Sequence, residues 1–230
     1  MVQRFELLQD GRYPILLAND GSAHLLHTGC PWRFQMPGGT DVMRVLGLQV
    51  PLKPSPLSRP FVEEGFEMMG VRFDALLGMN LLGGFIWTID HGTHTVLVAT
   101  SAPEAEDIRW VPVDAEDGPP ISHLDDGTRF ILDTGANISY KIGPVPQTAK
   151  VIGETEDWSL MWGKITTALW ESTVQIGGHR IPVRFGKLPP VADSRLAWMD
   201  TGWILGADLL RKFIVTLDIP KGRLGLKVRS

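Results

Sequence analysis

The run Phe130-Ile131-Leu132-Asp133-Thr134-Gly135-Ala136-Asn137-Ile138 decides how the rest of the chain is read. Three apolar residues of strand-forming type lead into a carboxylate, and Thr-Gly-Ala then turns the backbone before the next apolar position. A carboxylate at the end of an apolar strand is energetically out of place, because burying it unpaired is costly. Hydrogen bonds or a proton-sharing partner must compensate. A carboxylate held in that way is a candidate acid or base.

Working outward, the same pattern occurs a second time. Asn19-Asp20-Gly21-Ser22-Ala23-His24-Leu25-Leu26-His27-Thr28-Gly29-Cys30 aligns without a gap beneath Asp125-Asp126-Gly127-Thr128-Arg129-Phe130-Ile131-Leu132-Asp133-Thr134-Gly135-Ala136. Downstream, the segment from Leu77-Gly78 through Phe85-Ile86-Trp87-Thr88-Ile89-Asp90 aligns beneath Leu205-Gly206 through Phe213-Ile214-Val215-Thr216-Leu217-Asp218. Polar positions match as well as apolar ones, which separates a duplication from two strands that merely share a period. His27 stands in the first copy where Asp133 stands in the second.

These residues resemble the aspartic protease family. Its active-site motif is two apolar residues followed by Asp-Thr-Gly-Ala/Ser, and its crossing segment resembles Trp203-Ile204-Leu205-Gly206. The resemblance covers nearly the whole chain and implies an all-β, bilobal pepsin/retropepsin-like fold with two pseudo-two-fold related barrel lobes. The expected divisions are an N-terminal lobe over 1–100 carrying His-Thr-Gly, an acidic Pro-rich linker over 101–119, and a C-terminal lobe over 120–230 carrying Asp-Thr-Gly-Ala. His27 to Gly78 spans 51 positions and Asp133 to Gly206 spans 73, so the second half carries 22 extra residues. The family's flap hairpin lies between these landmarks, so the longer flap is expected within 153–169, with Trp158, Met161 and Trp162 covering a substrate side chain or packing on their own lobe.

The resemblance also implies a chemistry. Two carboxylates sharing one proton activate a water molecule in the family. Here Asp133 would be the base and a protonated His27 the acid or electrostatic stabiliser, as in a histo-aspartic variant. Such a pair would work at higher pH than two carboxylates, because the reference pKa of His is about 6.5 against about 3.9 for Asp. Thr28 and Thr134 would tie the two loops together, and Gly29 and Gly135 would permit their sharp turns. The alternative is a pseudoprotease that binds peptide segments in the same cleft without cutting them. A further alternative pairs the Asp133 halves of two chains, which the fused first half opposes. No cofactor or metal is expected.

Bulk properties are consistent with this. The chain has 230 residues, enough for one large or two small domains, with 43% hydrophobic and 21% charged residues, as in ordinary globular proteins. A net charge of −4 gives no electrostatic footprint for nucleic acid. Cys30 is the single cysteine, which excludes an internal disulfide and suits a reducing compartment. No signal-peptide pattern opens the sequence and its longest apolar stretch, 76–87, is too short to span a bilayer, so a cytoplasmic monomer acting on peptide or protein substrates, without membrane contact, is expected.

Element by element, the sequence predicts an opening strand ending at a turn on Asp10-Gly11, and hairpins about Asp20-Gly21, Asp126-Gly127 and Gly177-Gly178. It also predicts one strand within 42–52, a loosely alternating extended segment over 61–73, a short helix near 208–212, and a last strand over 223–228 that pairs with the first. Trp110-Val111-Pro112-Val113 is expected to be extended and packed on a lobe. Three features are read as decoys. Asp200-Thr201-Gly202 lacks a preceding apolar strand and is expected on a turn away from the cleft. His91 and His94 are expected in a surface turn without a third metal ligand. Cys30 is expected to be a buried, inert thiol, not the nucleophile of a Cys/His/Asp system.

Overall fold

A computed structural model describes residues 1–8, 13–103, 107–116, 118–196 and 199–229. It is predominantly β, as expected. The first half contains β1 (Val2–Leu7), β2 (Ile15–Leu17), β3 (Ala23–Leu26), β4 (Phe34–Gln35), β5 (Val42–Val45), β6 (Leu48–Pro51) and β7 (Lys53–Pro54). It continues through α1 (Arg59–Met69), β8 (Ala75–Leu77), α2 (Met79–Leu82), β9 (Ile86–Asp90) and β10 (Thr95–Ala99). The second half contains β11 (Arg109–Pro112), β12 (Ile121–His123), β13 (Arg129–Leu132), β14 (Ser139–Lys141), β15 (Lys150–Ser159), β16 (Gly163–Ile176) and β17 (His179–Lys187). It continues through α3 (Pro190–Leu196), β18 (Trp203–Leu205), α4 (Ala207–Leu210), β19 (Phe213–Asp218) and β20 (Arg223–Val228).

The second series repeats the first, and so does its pairing. β3 runs parallel to β8 and β13 parallel to β18, each with the residue before the key side chain at the end of the ladder: Leu26 opposite Leu77 and Leu132 opposite Leu205. β4 joins β8 antiparallel and β7 parallel, as β14 joins β18 and β17. The halves meet where β9 pairs with β19, and there the equivalent residues Thr88 and Thr216 lie directly opposite, their hydroxyls 3.1 Å apart. Equivalent residues of the two series thus face one another across this seam. Around that seam one buried core draws Trp87, Ile89 and Val98 from the first half and Phe213, Val215 and Leu217 from the second.

Several local expectations need correction. The final strand β20 pairs with β19 and β11, not with β1, which lies between β10 and β2. The segment 42–52 is not one strand but the hairpin β5–β6, because Leu46 and Gly47 both take positive φ (50° and 81°) and reverse the chain. The segment 61–73 is mostly helix, not an extended segment. Ser58 precedes α1, Pro60 sits in its first turn, and Gly70 ends it with φ 67°, while Val62, Phe66 and Met69 line one buried face at helical spacing. The helix expected near 208–212 occupies 207–210. Within the proline-rich stretch, Arg109–Pro112 forms the edge strand β11 on β20. The turn expected at Asp10-Gly11 lies outside the described residues.

The halves differ most where the sequence placed the extra residues. β5 and β6 form a two-stranded sheet of their own, whereas β15 and β16 make a long hairpin that continues into the sheet through β17. Trp158 near the tip of this hairpin crosses to α1 in the other half. Its ring centroid lies 5.0 Å from that of Phe61, and a Cβ on Gly65 would come within 2.6 Å of the indole. No helix among the described residues is long and apolar enough to cross a membrane.

Candidate active site

The two loops that follow β3 and β13 are built identically from backbone hydrogen bonds. His27 N–H donates to Leu77 O at 3.0 Å, and Asp133 N–H to Leu205 O at 2.9 Å. Cys30 O accepts from Met79 N–H at 2.8 Å, and Ala136 O from Ala207 N–H at 2.7 Å. These bonds hold each loop against the first turn of α2 or α4, and they aim His27 and Asp133 at the interface between the halves.

At the interface the loops are cross-tied. Thr28 N–H donates to Thr134 Oγ1 and Thr134 N–H to Thr28 Oγ1, both at 3.0 Å. Each hydroxyl then donates to the other half, Thr28 to Leu132 O at 2.6 Å and Thr134 to Leu26 O at 2.5 Å. Both threonines are fully buried, so every one of these groups depends on its protein partner. Replacing Thr134 by valine, which keeps the shape, strands the Leu26 carbonyl and the Thr28 N–H. The variant should be less stable by roughly 2–5 kcal/mol, with one desolvation penalty for each orphaned group. Urea unfolding measures this, and an unchanged midpoint would mean that the cross-tie does not hold the halves together.

His27 Nδ1 lies 3.1 Å from Asp133 Oδ1. At this distance the two side chains attract as an ion pair when the imidazole is protonated. Asp133 Oδ1 also accepts the N–H of Gly135 at 2.9 Å. Burial opposes ionisation of Asp133, but the His27 charge and the N–H groups of Gly135 and Gly29 together hold its carboxyl below the usual range. Each of the two side chains lies against the other half's glycine. A Cβ on Gly29 would sit 2.3 Å from the Asp133 carboxyl carbon, and one on Gly135 would sit 2.6 Å from the His27 ring. Neither glycine takes a positive φ, so the approach of the side chains, and not the turn expected to need them, is what requires glycine at both places.

The pair forms the floor of a cavity of about 300 Å³. Leu25, Phe34, Leu57 and Phe73 wall it on the first half, and Ile131, Ile165, Leu188 and Ile204 on the second. The β15–β16 hairpin roofs it with Trp158, Met161 and Trp162. Of these, Trp158 is buried against α1, so it does not pack on its own half alone; Met161 is exposed at the rim, and Trp162 packs on the second-half cluster around Ile131 and Ile204. Two buried, hydrogen-bonded polar residues of the cavity were not found from sequence. Tyr140 on β14 donates its hydroxyl to Asp157 Oδ2 on β15 at 2.7 Å, and both are buried. A signal for Tyr140 existed, since the repeat aligns it with Phe34. Asp157 had none.

The decoys fall as follows. Cys30 is buried, its Sγ–H donates to Trp32 O, and burial pushes the thiol up to about 11, which leaves no thiolate at neutral pH. The Asp200 side chain is 94% exposed, on a turn with φ 51° beside Arg129, and it does not line the cavity. His91 is not at the surface, as the repeat had suggested, but buried, and burial with the nearby Arg229 and Arg211 lowers it to about 4. Among the described residues no three His, Cys, Asp or Glu side chains are grouped to hold a metal ion. No protein-family model and no curated protein matches the chain.

Proposed function

We propose that this chain is an aspartic-type peptidase of pepsin/retropepsin-like bilobal architecture, hydrolysing peptide bonds at an Asp133/His27 centre in the cleft between its halves. The observation that carries this reading is the 3.1 Å approach of His27 to Asp133 between the two halves, on the floor of a roofed apolar cavity. An ionised Asp133 takes a proton from the attacking water as the water oxygen bonds to the substrate carbonyl carbon. The His27 imidazolium, drawn to the same site by the Asp133 charge, stabilises the negative charge that develops on the carbonyl oxygen and supplies a proton to the departing amine. The cavity walls are apolar on both halves, which suits apolar side chains on both sides of the cut bond.

A second reading is peptide binding without turnover, favoured by the imidazole that replaces one of the two carboxylates. Incubation with a mixed pool of unstructured peptides between about pH 4 and pH 8, followed by mass spectrometry, separates the two. The peptidase yields new termini between apolar residues. The binder yields retained peptides and no new termini.

A further inference from the structure

The cleft contains a buried polar pair that the hydrolytic mechanism above does not use. Asp157 accepts hydrogen bonds from the Tyr140 hydroxyl at 2.7 Å and from Trp158 N–H at 2.8 Å, and the Ile138 N–H also favours its charged form. Tyr140 and Asp157 line the same cavity as Asp133, and both feel its charge. The duplication provides an internal comparison. Phe34 occupies the place of Tyr140 in the first half, and it is buried there without a polar partner. An aromatic ring alone therefore fills this place, and the Tyr–Asp pair adds a desolvation cost that packing does not require.

Building on the hydrolytic reading, we propose that Tyr140 is a second hydrogen-bond donor to the reacting carbonyl oxygen, released for that role when Asp157 takes up a proton. An ionised Asp157 engages the phenol's single hydrogen. A protonated Asp157 has a hydrogen of its own to donate to Tyr140 Oη, so the bond reverses and the phenol hydrogen turns into the cavity. No covalent bond changes and the phenol keeps its proton, so only the direction of one hydrogen bond switches. Tyr140 acts on the substrate, and Asp157 is its positioning residue.

The switch lies in a usable range. Burial, with the Asp133 charge adding to it, pushes Asp157 up to about 6 against the bonds from Tyr140 and Trp158. Burial and the neighbouring carboxylate raise the Tyr140 phenol, so it stays protonated throughout. Tyr140 from β14 and Asp133 from the loop after β13 face Asp157, His27 lines the same cavity, and Tyr13 acts on Tyr140 from the first half. Helix α1 meets the hairpin through Phe61 and Gly65, while its Glu63 pairs with Arg59 and Arg72. On β16, Lys164 is paired with Glu156.

The test is the pH profile of kcat/KM on a cleaved peptide for the wild type, Asp157→Asn and Tyr140→Phe. In the wild type both His27 and Asp157 must be protonated, so the basic limb should approach a hundredfold loss per pH unit. The Asp157→Asn amide donates to Tyr140 at every pH. Its limb should relax to about tenfold per unit, leaving it about tenfold or more above the wild type one unit past the Asp157 titration. Tyr140→Phe should lose about a hundredfold on the plateau, as expected for a lost oxyanion donor, and also show the single-proton limb. If Asp157→Asn does not fold, the slope of the Tyr140→Phe limb decides. Cleavage with the wild-type slope kept in the folded variants overturns the proposal alone. No cleavage by the wild type at any pH overturns the hydrolytic reading and this proposal with it.

Discussion

Gly29→Ala should lower peptide hydrolysis about a hundredfold or more while the chain still folds, at a cost of about 1–3 kcal/mol. The added methyl would lie 2.3 Å from the Asp133 carboxyl carbon, so the carboxylate must move, and a shift of about 1 Å is enough for such a loss. Gly135→Ala should behave alike, since its methyl would meet the His27 ring at 2.6 Å. The control is Gly38→Ala, where the new methyl has open space and only the positive φ of 84° is at stake. It should cost about 1 kcal/mol and leave hydrolysis intact. Equal activities in all three variants would mean that the closeness of the two loops has no catalytic use.

His27→Asp carries the second large effect. It restores two carboxylates, which must share one proton, so the optimum should move toward acid pH. Stability should change sign with it. In the wild type the Asp133 pKa is depressed, so its contribution is present above the unfolded value of about 3.9 and is lost as pH falls through the folded value. In the variant one carboxyl is raised above its unfolded value. Its contribution is then complete below about 3.9 and lost as pH rises through the pair's upper titration. Melting temperatures of the two proteins should therefore diverge as pH rises from acid to neutral. Parallel melting curves would show that positions 27 and 133 do not interact.

How much of this was legible in the sequence depends on how far each feature reaches. The duplication was legible because each copy repeats demands that only a few residue types meet: positive φ at Gly21 and Gly127, cross-half hydroxyl bonds at Thr28 and Thr134 and at Thr88 and Thr216, and close approach at Gly29 and Gly135. The approach of His27 to Asp133 was expected from that register, which sets the two side chains at equivalent places in the two copies. Helix α1 was obscured because Val62, Phe66 and Met69 sit among acidic residues and a glycine that dilute the period, although Ser58, Pro60 and Gly70 marked its ends. The β5–β6 reversal was missed because it rests on Leu46 at positive φ, which leucine rarely adopts. His91 and Asp157 could not be seen, because their character comes from burial in the folded chain, with the Arg229 charge beside His91 and the Tyr140 hydroxyl bonded to Asp157 from another strand.

The catalytic claim rests on Asp133. The most direct measurement is single-turnover cleavage of a peptide in ¹⁸O-labelled water by the wild type and by Asp133→Asn, with both shown to be folded. The account predicts one ¹⁸O atom in each new carboxylate from the first turnover, as direct attack by water requires, and a rate roughly 10³–10⁴-fold lower in Asp133→Asn. Cleavage at the wild-type rate by Asp133→Asn would contradict it, as would a wild type that leaves every peptide uncut.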